Sequence, residues 1–259
     1  MTKYARPRLI SADDKRYRAY VAQFVLQRQN QRAMRPPRQR DIFGGQAEDA
    51  LRAWLGERYS LSERRILEYE ERRGKWANTK YRELDALALE ERTAWVFEIK
   101  ASRVAGSVRR AVAQLQETRA ILSLIFDQVQ GTILLVDTGI PTIETNAELM
   151  AGPEPPPTPP ETLAEALEKL PEVQLITNLD ERSHGGLSID LLRFSVDNII
   201  ALVGAENLAL DWEADDEAEE SPQPAAERGP LYSTSDDASD NDDGDNPLAA
   251  ALRRAGLKG

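Results

Sequence analysis

Two runs of β-forming residues, Tyr81 to Leu89 (YRELDALAL) and Trp95 to Lys100 (WVFEIK), are separated by the polar residues Glu90 to Thr93. So short a connection implies an antiparallel hairpin, because parallel strands need a crossover of roughly a dozen residues or more. If Leu89 faces Ala94, Asp85 falls opposite Glu98 and Glu83 opposite Lys100. Side chains alternate between the faces of a strand, so Glu98 and Lys100 share one face while Trp95, Phe97 and Ile99 take the other. Two carboxylates and an ammonium group then converge on a surface that Val96, Leu87 and Leu89 make half buried. Like charges opposed on a sheet destabilise it unless a positive charge sits between them. A hard divalent cation meets that need. Magnesium takes oxygen ligands and keeps several waters, so Asp85, Glu98 and the backbone carbonyl of Ile99 suffice as protein ligands, with manganese able to substitute. Such a metal polarises a scissile phosphate, and Lys100 would orient or help deprotonate the attacking water.

The flanking segments place this hairpin in an α/β core. Gly44 to Tyr59 carries Ala47, Leu51, Trp54 and Leu55 on one stripe and predicts a helix. Ser107 to Phe126 returns to the helical period behind a serine placed to cap it. Thr132 to Asp137 (TILLVD) reads as a buried strand, Val173 to Thr177 (VQLIT) as a further one, and Leu187 to Val203 as strand then helix. Helix, strands, helix, strand is the order of a mixed sheet covered by helices.

Asp85, twelve intervening residues, then Glu98-Ile99-Lys100 on an apolar strand resembles the PD-(D/E)xK nuclease superfamily. Gly44-Gly45-Gln46-Ala47-Glu48 is similar to the family's G-x-x-x-E on the first core helix, and Gln114-Leu115 to the glutamine on the helix after the E-x-K strand. The resemblance spans residues 44–137. It implies a restriction-endonuclease-like α-β-β-α-β core, a catalytic set of Glu48, Asp85, Glu98, Lys100 and Gln114, and Glu48 supporting the metal held by Asp85, Glu98 and Ile99. It further implies a magnesium-dependent nuclease, DNA being the expected substrate and a prokaryotic defence, restriction or repair system the expected setting. RNA cleavage by the same fold, and a non-cutting scaffold that binds nucleic acid and partner proteins, stay open. Two departures stand out: Glu83-Leu84 precede Asp85 where the family often has proline, and Thr118 stands where RecB-like members carry tyrosine. Arg109 and Arg110, which open the helix beside the proposed metal, are the candidate phosphate contacts together with Arg103. Other arginine pairs read as solvated faces, and His184 as a turn residue.

Charge is unevenly spread in a chain of net charge −11. Residues 1–40 hold eleven lysines and arginines against Asp13 and Asp14, and are expected to form a basic helical arm with an amphipathic helix over Asp13 to Gln31. Its Tyr17, Tyr20 and Phe24 would either stack on bases or pack on the core. Residues 41–210 are the expected nuclease domain, with a Pro-rich excursion at 152–160 and a short helix from Glu161 to Leu170. Residues 211–247 carry fourteen acidic side chains against one arginine and are expected to be a disordered acidic linker that either masks the basic surface or solubilises the chain. Residues 248–259, rich in Leu and Arg, would dock a protein partner; oligomerisation is left open. With no cysteine there is no disulfide framework and no thiolate metal site, and no apolar run long enough for a membrane span. A cytoplasmic protein is expected.

Overall fold

A computed structural model of the chain describes residues 3–29, 38–153, 155–183 and 186–212. His184, most of the acidic segment and the Leu/Arg-rich terminus lie outside the described residues.

The amino-terminal segment opens with a strand, β1 (Tyr4–Ile10), before helix α1 (Lys15–Gln29). The Asp14 carboxylate accepts the backbone N–H groups of Arg16 and Tyr17 and so caps α1. After α2 (Gln39–Gly56) come strands β2 (Ile66–Arg73) and β3 (Trp76–Glu83), which with β1 form an antiparallel three-stranded sheet in the order β1-β2-β3. This sheet corrects the expectation of a purely helical arm. Its sequence signal is complementary charge between distant segments, Arg6 and Arg8 of β1 meeting Glu70 and Glu68 of β2. Arg8 meets Glu68 through two hydrogen bonds of 2.6 and 2.9 Å, and Arg6 meets Glu70 at 3.0 Å. Part of the amino-terminal positive charge is therefore neutralised internally. Tyr17 and Tyr20 of α1 lie with ring centroids 5.6 and 4.9 Å from that of Tyr81 on β3, so these two rings pack on the protein.

The second sheet holds β4 (Ala86–Glu90), β5 (Thr93–Ser102), β6 (Gln128–Asp137), β7 (Val173–Ile176) and β8 (Ile189–Ser195), in the order β4-β5-β6-β8-β7. β4 and β5 are antiparallel and the other pairs parallel, a mixed sheet as the element order implies. α3 (Gly106–Leu122) makes the crossover between parallel β5 and β6. Short helices α4 (Ile143–Ala151) and α5 (Leu163–Glu168) flank the Pro-rich excursion, and α6 (Val196–Val203) follows β8 directly, with Ser195 as its cap. Ser107 lies inside the first turn of α3, not at its cap, and its hydroxyl bonds the Val104 carbonyl at 2.8 Å.

The period of two along β5 divides the core. Ala94 and Val96 pack with Val108, Val112 and Leu115 of α3, whereas Phe97 and Ile99 pack with Phe43, Ala47, Leu51 and Leu55 of α2. β6 is buried from Val129 to Val136, which explains a near-continuous apolar run in place of alternation. Gly131 permits the close approach of α3: a Cβ there would lie 3.3 Å from a Leu115 methyl. The chain stays on the α2 side past residue 211, where the linker was expected to begin. Trp212 packs edge-on against Phe43 at 5.1 Å, and Ala209 N–H donates to Gln46 Oε1 at 2.7 Å.

Candidate active site

The β4–β5 register is the expected one, Leu89 opposite Ala94 and Ala86 opposite Phe97. The expected single strand from Tyr81 to Leu89 is instead cut in two. β3 belongs to the first sheet and β4 to the second, and the break falls at Leu84-Asp85. Glu83 consequently stands opposite Ile66 and forms a 2.5 Å ion pair with Arg65; it does not face Lys100. Two arginines fix the break. Arg65 donates to the Leu84 carbonyl at 3.2 Å and accepts the Leu84 N–H on its own carbonyl at 2.9 Å, while Arg52 Nε donates to the Asp85 carbonyl at 2.7 Å.

Freed from the ladder, the Asp85 carboxylate turns onto the edge of β5, where Oδ2 accepts the Ile99 N–H at 2.7 Å. A residue in a strand sends its N–H and C=O to the same side. The Ile99 carbonyl therefore points toward the β4 edge too, at a level where β4 has ended. Glu98 projects to the α3 face, 6% exposed, with Oε1 2.6 Å from Lys100 Nζ. Glu48 of α2 approaches from the other side and pairs with Arg52. Burial, and then the neighbouring Glu98 charge, push the Asp85 carboxyl up to about 6, against the opposing pull of the Ile99 N–H, Lys100 and Arg52. Burial followed by the Asp85 charge likewise raises Glu48. Asp85, Glu98, Lys100, Ile99 and Glu48 are thus brought together.

The remaining expected residues divide. Gln114 lies at the edge of the buried face of α3. Its carbonyl accepts Arg82 at 3.0 Å, and its side-chain amide makes no hydrogen bond to a described residue. Arg109 forms an ion pair with Glu161, which Lys169 also contacts at 2.7 Å. Arg110 is exposed and makes no ion pair with a described residue. Arg103 is exposed on the turn between β5 and α3. Residue-by-residue reading missed Arg52 and Arg82. Arg82 bonds the buried Thr118 hydroxyl at 3.0 Å and pairs with Glu117, giving Thr118 a structural role where the resemblance shows only a departure. The one sequence sign of Arg52 is its i,i+4 spacing from Glu48.

Among the described residues no three carboxylate or imidazole side chains form a ready-made cage for a metal ion. Two carboxylates and one carbonyl fit magnesium, which fills its remaining positions with water. The elevation of Asp85 comes first from burial and second from the Glu98 charge, and a bound cation would offset both.

That elevation also bears on stability. Folding raises this carboxyl from an ordinary value near 4, so between about pH 4 and about pH 6 the native state holds more protons than the unfolded chain, and stability falls as pH rises through that window. Two pH units correspond to ~3 kcal/mol. Asp85→Asn removes the titration and keeps an acceptor for the Ile99 N–H. In urea titrations with chelator present, its stability relative to wild type should grow from near zero at pH 4 to about 3 kcal/mol at pH 7. A difference independent of pH would mean that the fold does not oppose the Asp85 charge.

Neither a family model nor a curated protein matches the chain. No helix among the described residues is long and apolar enough to cross a membrane.

Proposed function

We propose that the chain is a divalent-metal-dependent nuclease with a restriction-endonuclease-like core, hydrolysing DNA phosphodiester bonds. The observation that carries this reading is the junction of Asp85, clamped on the β5 edge by the Ile99 N–H, with buried Glu98 and its partner Lys100. The elements α2, β4, β5, α3 and β6 support it, following one another in the α-β-β-α-β sequence that the resemblance implies once the β2–β3 hairpin inserted between α2 and β4 is set aside.

Asp85, Glu98 and the Ile99 carbonyl would hold magnesium, with Glu48 supporting the site from α2. When bound, the cation supplies Lewis-acid polarisation of the phosphate and a more acidic water. The protein's own part is positional. Glu98 presents its oxygens from β5 and Asp85 from the β3–β4 break, held on the β5 edge by the Ile99 N–H, and burial keeps both poorly hydrated and so eager for a cation. Lys100 neutralises Glu98 in the free protein and, released from it, orients the attacking water. Arg110 and Arg103 offer charge to the substrate backbone beside the α3 amino terminus, which lies six residues beyond Lys100. DNA is preferred to RNA on the resemblance alone.

The test is cleavage of plasmid, linear duplex, single-stranded DNA and RNA by the full chain with magnesium, manganese or chelator. DNA cleavage with either metal and none with chelator is expected. Undiminished cleavage in chelator, or no cleavage of any of the four, would sink the reading.

A further inference from the structure

The β2–β3 hairpin ends in Arg72-Arg73-Gly74-Lys75-Trp76. Arg73 pairs with Trp76, so the loop has two residues; Gly74 has a φ of +60°, and Lys75 is not among the positive-φ residues. That pattern fits a type II′ turn, glycine first, whose twist matches the flanking strands. β1 pairs with β2 up to Tyr4 opposite Glu71, the Lys3 carbonyl accepts the Arg72 N–H at 2.8 Å, and the outer half of β3, Trp76 to Thr79, is exposed. Trp76 is 78% exposed, at the end of a tight two-residue turn. Alternation puts Trp76, Asn78 and Lys80 on one face. Lys75 and Lys80 make no ion pair with a described residue, and Arg72 reaches Glu70 only at 3.9 Å.

We infer that this hairpin tip is a nucleic-acid contact, with Trp76 stacking on an unpaired base and Arg72, Lys75 and Lys80 meeting the flanking phosphates. Aromatic stacking tolerates any base, and lysine and arginine follow the backbone without regard to sequence, so the pair of features suits single-stranded or frayed nucleic acid. A lipid surface fits less well. The tip has one large apolar side chain, whereas interfacial anchoring needs a broad apolar face or a second anchor.

The position of this contact relative to the cut rests on the nuclease reading. Seven residue steps of β3 separate Trp76 from Glu83, about 23 Å at ~3.3 Å per residue, and Asp85 follows at the β3–β4 break. A duplex running from the carboxylates along β3 covers about seven base pairs in that distance at ~3.4 Å each. The favoured substrate is therefore a duplex that opens or ends about seven base pairs from the scissile phosphate.

The experiment is fluorescence anisotropy with a labelled blunt duplex and the same duplex carrying a single-stranded overhang, in chelator so that cutting does not intervene. Full-length wild type is compared with Trp76→Ala, Trp76→Phe and the double change Lys75→Gln/Lys80→Gln. Trp76→Ala should weaken overhang binding about tenfold, the weight of one stacked base, leave the blunt duplex nearly unchanged and leave the melting temperature alone. Trp76→Phe should recover most of the loss. The lysine double change should reduce the slope of log K against log salt by about 0.7 for each phosphate it ceases to neutralise. Unaltered affinity of Trp76→Ala for both probes overturns the inference, as does a loss of binding to phosphatidylserine vesicles with nucleic-acid binding intact. Because binding is read without cleavage, the two readings separate. A Trp76 effect in a protein that cuts nothing keeps the hairpin contact and removes the nuclease, whereas metal-dependent cutting with normal Trp76→Ala binding removes only the hairpin.

Discussion

Asp85→Ala and Glu98→Ala should each reduce metal-dependent cleavage by at least about a thousandfold, since losing a metal ligand forfeits several kcal/mol of charge stabilisation and ~1.4 kcal/mol is a factor of ten. Their effects on the metal-free fold should differ. Asp85→Ala relieves the opposition of two carboxylates, so near neutral pH in chelator the protein should be no less stable than wild type. Glu98→Ala instead removes the partner that Lys100 holds at 2.6 Å, and a half-buried ammonium left alone costs stability. Lys100→Ala completes the set. It should keep manganese binding by calorimetry, lose turnover by about a hundredfold or more, and destabilise the metal-free protein by leaving buried Glu98 without its counter-charge. Full activity in Asp85→Ala would remove the site assignment altogether.

The β4–β5 register could be read directly because a short polar loop fixes the pairing and a one-residue slip would turn every apolar side chain of β5 to the wrong face. The β5-α3-β6 unit was equally legible, since its three segments have distinct periods. The break at Leu84-Asp85 was not. Tyr81 to Leu89 has uniform β-forming character, and what divides it is a pair of guanidinium groups from positions 52 and 65 that bind the two backbone carbonyls. No local propensity records an interaction of that range. The β1–β2 ladder escaped for another reason: the charges that match across it lie 64 and 60 residues apart, so the arginines at 6 and 8 read as a free basic arm until Glu70 and Glu68 are seen beside them. The ion pair of Arg109 was hidden in the same way, its partner Glu161 lying 52 residues on. The convergence of Asp85, Glu98 and Lys100 was legible from spacing, while the guanidinium groups around it were not.

Arg52 is the clearest case of such a group. Its Nε holds the Asp85 carbonyl at 2.7 Å, its terminal nitrogens meet Glu48 and Asp49, and its charge lowers both Asp85 and Glu48 against the burial that raises them. One planar fork thus sets the angle at which the chain leaves β3 and the ease with which two carboxylates ionise. Arg52→Met keeps most of the apolar stem and removes the fork. It should lower stability by about 1–3 kcal/mol, the cost of an unmade bond to a half-buried carbonyl. Manganese affinity should fall roughly ten- to a hundredfold, as for other lost supports of metal ligands. Arg52→Lys should regain part of the stability but little of the turnover, because a single ammonium cannot serve the Asp85 carbonyl and the Glu48 carboxylate in the same geometry. A second signature lies in pH. With Arg52 gone, Asp85 and Glu48 hold their protons to higher pH, so the acid limb of the rate profile should move upward in Arg52→Met while the alkaline limb stays in place. Calorimetry with manganese at neutral pH and initial rates across the acid range measure both effects. Lost stability with unchanged manganese affinity and an unmoved acid limb would reduce Arg52 to a strut between α2 and the β3–β4 break.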